Sequence, residues 1–336
     1  MALQRSGIVP EVPGRTGQRG ACHSGARFSV AATPISPLKA SPMDTPIIDC
    51  HTHTRFSDGR STFEENVRAA AAAGCRVLVP TDHLTLPQSM DATGAIQVVA
   101  DDLPAHRAAF EEARALAAKL APALEFVYGF ECDWYPGCEP LVERWSAGAV
   151  FRLGSVHWIG DPGAVEDPDA APALDPEHGV GWIDDSHDRR LWEALGPDEI
   201  WRRYIAAWCE ACASPLPFSS MAHPDLPMRF AGDGVLPSID LAPLWDEMAA
   251  CAHDTGRHVE VSTAGLRKGV GSHYPAASLL ERFERAEVPI TVASDAHRAE
   301  DICWGIRGAY EFAYACGYRA VDAPRSDGSW QTFSLA

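Results

Sequence analysis

The stretch "IIDCHTHTRFSDG" (residues 47–59) decides how the rest of the chain is read. Its apolar start, running into His-Thr-His-Thr, reads as a short buried strand that ends in a turn. Side chains at i and i+2 of a strand point the same way, so His51 and His53 project together from its end. Two imidazoles on one side can chelate one metal ion; the alternative is a hydrogen-bonded histidine pair beside a turn. The other strand ends decide between the two.

From residue 46 onward, strand-like and helix-like segments alternate. Strand character is found in "PIIDC", "RVLVPTDH", "LEFVYGFE", "VFRLGSVH", "FSSMAHP", "RHVEVST" and "PITVASDAH". Helical patterns lie near 62–73, 101–121, 139–147, 197–213, 239–255, 275–286 and 301–316. Seven βα repeats with short connections predict an α/β fold with a parallel sheet, and that number favours closure into a barrel. One connection, 160–196, is long and irregular, as lids and binding loops are. We expect a single barrel domain over 44–336, preceded by a disordered leader at 1–43. The leader is rich in Gly, Pro, Ser and Arg, has no hydrophobic period, and carries +4, leaving −22 on the remainder. An organellar transit peptide and a natural start at Met43 are the other readings of this segment.

The bulk composition of the 336 residues, 46% hydrophobic and 22% charged, is that of a soluble globular protein. No apolar run approaches the roughly 18–20 residues that span a bilayer, so no membrane partner is expected. A net charge of −18 argues against nucleic acid, whose partners present a basic face. It leaves room for a small phosphorylated substrate, because bound cations dominate the field at such a site. Ten cysteines without an export signal fit a reducing, cytoplasmic setting. Cys209 and Cys212 form a C-x-x-C in mid-helix with no second pair at zinc-finger spacing, which reads as helix packing.

Nearly every strand candidate ends in a residue that binds metals: His51 and His53, His83, Glu131, His157, His223, then Asp295 and His297. In a parallel barrel the carboxyl ends of the strands converge on one face, where the active sites of such barrels sit. A set rich in His and carboxylate and free of Cys suits Zn, Fe or Mn. It holds too many ligands for one ion; two or three divalent ions sharing Glu131 account for the number. Ions about 3.5–4 Å apart activate a bridging water and neutralise phosphoryl and leaving-group oxygens, which is phosphate-ester hydrolysis.

"DCHTHTRFSDG", "VPTDH", "GFECDWYPG", "GSVHWIG", "AHPDLPMRF", "STAGLRKG" with "YPA", and "VASDAH" occur in the order found in the PHP superfamily. Over about residues 46–318 the chain resembles the histidinol-phosphatase branch of that superfamily. The resemblance implies a distorted (β/α)7 barrel that hydrolyses L-histidinol phosphate in histidine biosynthesis. It implies one metal on His51, His53, Glu131 and Asp295, and a second on Glu131, His157 and His223. A third would use His83, His297 and Asp58, although some members carry His near the place of this Ser-Asp-Gly. Asp82 is expected to orient an imidazole or, with His297, to protonate the leaving group.

Phosphate also needs cations, and Arg is the best geometric match. Arg229 in "PDLPMRF", and Arg267 with Lys268 in "GLRKG", follow the fifth and sixth strands on the same face; Arg267 is further expected to stabilise transition-state charge. His273, Tyr274 and Trp134 are candidates for the imidazole end. Ser262 stands where the branch often has Asn, and Ala222-His223-Pro224-Asp225 replaces a common Gly-His-Leu-Asp. Glu260 lies inside the sixth strand and faces either the metals or a buried partner. Two alternatives stand beside this reading: a PHP phosphoesterase for another small ester such as a nucleotide or sugar phosphate, and a non-catalytic metal-binding module. The sequence leaves the oligomeric state open.

Overall fold

The computed structural model describes residues 45–86, 91, 93–160 and 179–335. The expected leader at 1–43 lies outside the described residues, as does 161–178 of the long connection. The strands run β1 (Ile47–Thr52), β2 (Cys75–Leu84), β3 (Glu125–Phe126), β4 (Gly129–Asp133), β5 (Phe151–Ser155) and β6 (Trp158–Ile159). They continue as β7 (Gly181–Trp182), β8 (Ser220–Met221), β9 (His258–Ser262), β10 (Ile290–Ala293), β11 (Ala320–Pro324) and β12 (Trp330–Ser334). The helices are α1 (Phe63–Ala72), α2 (Leu103–Leu120), α3 (Glu139–Trp145), α4 (Arg190–Ala213) and α5 (Ala242–Thr255). A short turn, α6 (Ala264–Arg267), precedes α7 (Ala277–Arg285) and α8 (Ile306–Ala315).

The main sheet follows the order β1-β2-β4-β5-β8-β9-β10, with β3 pairing beside β2. Every pairing in it is parallel. Its ends meet through a parallel bridge between Thr52 and Ala296, where His53 N donates to Ala296 O at 2.8 Å. The result is a nearly closed seven-strand barrel with a helix in each connection, as the repeat pattern predicts. Register does much of the positioning: His83 on β2 lies opposite Glu131 on β4.

Local chemistry sets the element boundaries. Thr62 and Glu65 form a reciprocal capping box that starts α1. Gly256, in the left-handed region at φ 66°, ends α5. At Gly196 (φ 73°) the backbone of α4 leaves helical geometry, and Pro197 restarts it. The helix expected over 197–213 is thus the second part of a longer element beginning at Arg190, inside the connection read as irregular. The β6–β7 hairpin, Trp158 opposite Trp182, is a second piece of order in that connection. The segment "LEFVYGFE" divides into β3 and β4 rather than forming one strand.

One apolar core lies between the sheet and helices α1, α2, α4, α5 and α7, with Phe110, Phe130, Trp201, Trp208 and Phe283 among its buried side chains. A second joins Ile48, Val79, Leu153 and Val292 of the barrel to Tyr310 of α8 and to Val321 and Phe333. The antiparallel β11–β12 hairpin, which the sequence pattern did not announce, covers the amino ends of the strands. There Trp330 stacks on His258 with ring centroids 3.6 Å apart, and Asp322 Oδ2 lies 2.9 Å from His258 Nε2.

Candidate metal centre

At the carboxyl ends of the strands the side chains gather round Glu131, which is 1% exposed. Its Oε2 lies 3.1 Å from His51 Nε2, 3.5 Å from His53 Nε2 and 3.2 Å from His83 Nδ1. Its Oε1 lies 3.0 Å from His223 Nε2 and 3.4 Å from His157 Nε2. One carboxylate therefore faces two separate sets of imidazoles, one with each oxygen. Asp295 Oδ1 closes the first set at 3.4 Å from His53 Nε2. Asp58 faces His297 Nε2 at 3.0 Å, His53 Nδ1 at 3.6 Å and His83 Nε2 at 3.8 Å.

These atoms fall into compact groups able to grip an ion: His51/His53/Asp295, Glu131/His157/His223, His53/Asp58/His83/His297, and His83/Asp133/His157. The donor spacing fits such a role. Two nitrogens bound to one ion at about 2.0–2.1 Å lie about 3.3–3.4 Å apart at the tetrahedral angle and about 2.8–3.0 Å apart at a right angle. Here His51 and His53 bring their Nε2 atoms within 2.9 Å, and His157 and His223 within 3.2 Å. The buried His53 Nδ1, His83 Nδ1, His223 Nδ1 and Asp133 Oδ2 have no hydrogen-bond partner among the described residues.

Backbone geometry aims the ligands. His223 and Asp295 have positive φ, 22° and 51°, so both strand ends turn sharply. Non-glycine residues in that region store of the order of 1–3 kcal/mol each, a pattern typical of functional sites. Gly59 closes the "FSDG" turn so tightly that a Cβ there would sit 2.7 Å from His53 C and Thr54 N. Only glycine fits beneath that peptide.

The electrostatics call for added positive charge. Burial opposes ionisation of Glu131, but the facing His51, His83 and His157 outweigh it and hold its carboxyl well below the usual range. Burial likewise opposes protonation of those imidazoles, yet their carboxylate partners raise all three, His83 to about 10 and His157 to about 9. His53 moves the other way, to about 4, through burial and then the neighbouring His297 and His83. Buried carboxylates at this density need cationic compensation, which divalent ions supply.

Two anchors complete the cluster. Glu260 reaches His51 Nδ1 with Oε1 at 2.7 Å and accepts from His223 N through Oε2 at 2.9 Å. Asp133, absent from the sequence reading, lies 2.6 Å from His157 Nδ1. It follows Glu131 at i+2 on the same strand face, and that alternation was the available signal. Beside the cluster lies a cavity of about 300 Å3, lined in part by Trp182, Asp184 and Asp185. Those three come from the long connection, where no period marked them.

The remaining candidates are placed as follows. Lys268 lines the cavity, its Nζ donating to Asp295 Oδ2 at 2.7 Å. Arg267 is turned instead to the backbone carbonyls of Ser294 and Asp295 and to Asp301, so its guanidinium braces the strand end that carries Asp295. Arg229 donates to Lys268 O at 2.8 Å and does not line the cavity. His273 stacks on Phe312 of α8, centroids 4.4 Å apart, away from the cavity where it was expected. Tyr274 does line it, whereas Trp134 lines a separate pocket with Tyr135 and Trp158.

Asp82 is fully buried and faces neither substrate space nor a ligand imidazole. It accepts from Thr54 N and Oγ1 and from Ser57 Oγ at 2.6–2.7 Å, and from His106 Nε2 at 3.0 Å. With its lone pairs so engaged it pins the turn carrying Asp58, and it has no free proton position for a leaving group.

A family model described as the PHP domain matches residues 49–264. The chain belongs to the PHP domain family. It is 28% identical over 284 residues to a "Probable histidinol-phosphatase" of Deinococcus radiodurans, covering 82% of this chain and 96% of that one. Two solved structures share the fold. One is a histidinol phosphatase candidate from Listeria monocytogenes, with TM-score 0.64, 21% identity and coverage of 77% of this chain and 98% of that one. The other is a Lactococcus lactis histidinol phosphate phosphatase complexed with Zn, L-histidinol and phosphate, with TM-score 0.62, 19% identity and coverage of 84% and 98%. Among the described residues no helix of this PHP-family chain is long and apolar enough to cross a membrane.

Proposed function

We propose that this PHP-family chain is a metal-dependent phosphoric monoester hydrolase whose substrate is L-histidinol phosphate. The observation that carries the reading is Glu131 facing histidines from neighbouring strands with each of its oxygens. His51, His53 and Asp295, then His157 and His223, then His83, His297 and Asp58 would hold two or three divalent ions of the Zn, Fe or Mn type. When bound, such ions supply the Lewis acidity that activates water and neutralises a phosphoryl group. The Deinococcus relative supports the choice of substrate through its name and its nearly full-length match.

The chain's own residues do the rest. Lys268 is 38% exposed and offers its ammonium to the non-bridging phosphoryl oxygens. Asp295 outweighs the effect of burial on that ammonium and keeps it charged. His297 and Asp58, 28% and 33% exposed, are more open than the buried histidines behind them. With two ions held by the other two groups, their contact at His297 Nε2 would be left to carry a proton for the leaving alkoxide. Glu260 and Asp133 fix the rings of His51 and His157, so little reorganisation is needed as charge develops.

The test is a kinetic comparison of L-histidinol phosphate, adenosine 3′,5′-bisphosphate and p-nitrophenyl phosphate, with the metal content measured on the same preparation. Histidinol phosphate should give the highest kcat/KM, and chelation should abolish turnover. A higher kcat/KM on another ester would replace the substrate, and bound metal without turnover on any ester would remove the enzyme reading.

A further inference from the structure

Among the described residues each oxygen of the buried Asp82 takes two donors, and most of them come from the turn that Asp82 holds: Thr54 N, Thr54 Oγ1 and Ser57 Oγ. The remaining donor arrives from outside the turn. It is His106 Nε2 of α2, 3.0 Å from Asp82 Oδ2. A carboxylate only accepts, so Nε2 carries the ring proton and Nδ1 is left to accept. Tyr128 fills that position, its hydroxyl 2.9 Å from Nδ1. Both ring nitrogens are thus engaged, and the histidine joins Tyr128, beside the start of β4, to the carboxylate near the end of β2.

The ring has little freedom to leave these partners. It is 1% exposed, stacks on Phe130 with centroids 4.9 Å apart, and meets Phe56 and Phe63 edge-on at 5.1 and 5.0 Å. Packing among three phenylalanines does not call for a histidine; the two directed contacts do. Asn66 Nδ2 donates to His53 O at 3.0 Å and fixes the entry to the turn, while Asp82 fixes the residues after it. His53 stands at one end of that stretch and Asp58 at the other. His53 belongs to the His51/His53/Asp295 group and, with Asp58, to the His53/Asp58/His83/His297 group. The Glu131/His157/His223 group takes no residue from the turn.

We infer that His106 is a positioning residue: acting through Asp82, it fixes the turn that presents His53 and Asp58 to the metal centre, and it tunes the ions held by that turn separately from the ion on His157 and His223. The inference rests on the metal-dependent reading and adds to it a residue that touches neither ion nor substrate. Partners one step behind a ligand commonly change metal affinity about 10–100-fold, and His106 stands one step further back, so the lower end of that range is expected.

The experiment titrates metal-free wild type, H106F and H106Q with Mn, reading the free ion by its paramagnetic resonance; Mn favours oxygen and nitrogen ligands over the thiols elsewhere in the chain. H223N identifies the step that belongs to the Glu131/His157/His223 group. In H106F the steps that use His53 should weaken about tenfold while that one stays within about twofold of wild type. H106Q, whose amide can still donate to Asp82, should recover most of the loss. All steps within about twofold of wild type in H106F, or equal losses at every step, overturn the inference. Hydrogen exchange on the metal-free proteins gives a second readout: amides of residues 53–59 should exchange about tenfold faster in H106F, with those of β8 and β9 unchanged. If the wild type binds no ion the metal-dependent reading fails, while exchange still decides whether His106 holds the turn. Should H106F not fold, H106N, whose shorter side chain does not reach Asp82, must show the same pattern or the inference is lost.

Discussion

Glu260 Oε1 and His51 Nδ1 stand 2.7 Å apart, and the other oxygen of the same carboxylate holds the backbone N–H of His223. A single buried side chain on β9 thereby ties the first and fifth barrel strand ends to a common geometry. Glu260→Gln keeps the volume and removes the charge that raises the basicity of His51. Divalent-metal affinity should fall about 10–100-fold, as measured by competition with a calibrated chelator. Unchanged affinity would leave Glu260 with a purely structural part.

Replacing Glu131 itself should cost more. Glu131→Gln withdraws a shared anionic ligand from both sets of imidazoles. We expect more than about a 100-fold loss in kcat, beyond the usual effect of a ligand's outer partner, together with a lower metal content by elemental analysis.

Removal of divalent ions should also register in stability. Ions that bind the folded centre and not the unfolded chain raise the melting temperature by mass action. Calorimetric scans after exhaustive chelation should show a drop of several degrees, reversed by Zn, Mn or ferrous ion. A melting temperature indifferent to chelation would argue against resident ions.

The basic pair of "GLRKG" should separate cleanly. Lys268→Ala should raise KM for the phosphate monoester about tenfold or more, because it removes the ammonium beside Asp295. Arg267→Ala should act first on stability, by about 1–3 kcal/mol in urea melts, since its guanidinium braces the carbonyls of Ser294 and Asp295. The opposite assignment of the two effects would return Arg267 to substrate contact.

His273 offers a pH test away from the metals. Burial lowers its pKa to about 4, below the ordinary value near 6.5 of the unfolded chain. Below that ordinary value the unfolded chain takes up a proton that the native ring refuses. Stability is therefore lost as pH falls from about 6.5 toward 4, by on the order of 1 kcal/mol for this half-buried ring. His273→Gln should flatten that part of the urea-melt profile relative to wild type.

The fold was largely legible because all but one of the barrel strands are short apolar runs ending in a ligand-type residue, and the helices between them carry a regular period. The strand-end histidines were legible for the same reason: topology carries each strand end to one rim. What escaped has physical causes. Asp133 lies two residues past the end of the strand pattern "LEFVYGFE", and β4 extends through it. The direction of Glu260 depended on which strand face turned inward, which a five-residue buried run does not reveal. Arg267 and Lys268 are adjacent, and only the backbone course of α6 decides which enters the cavity. Trp182 and Asp184 lie where neither helix nor strand period runs, and the β11–β12 hairpin lies past the last ligand motif.

That hairpin sits at the opposite pole from the metal cluster. Ser326 in its turn is tied to Glu125, at the start of β3, through both N and Oγ to the same carboxylate oxygen. A surface linkage made through the turn at Asp327–Gly328 would hold the protein with its cavity facing away from the support, leaving substrate diffusion unobstructed in an immobilised preparation.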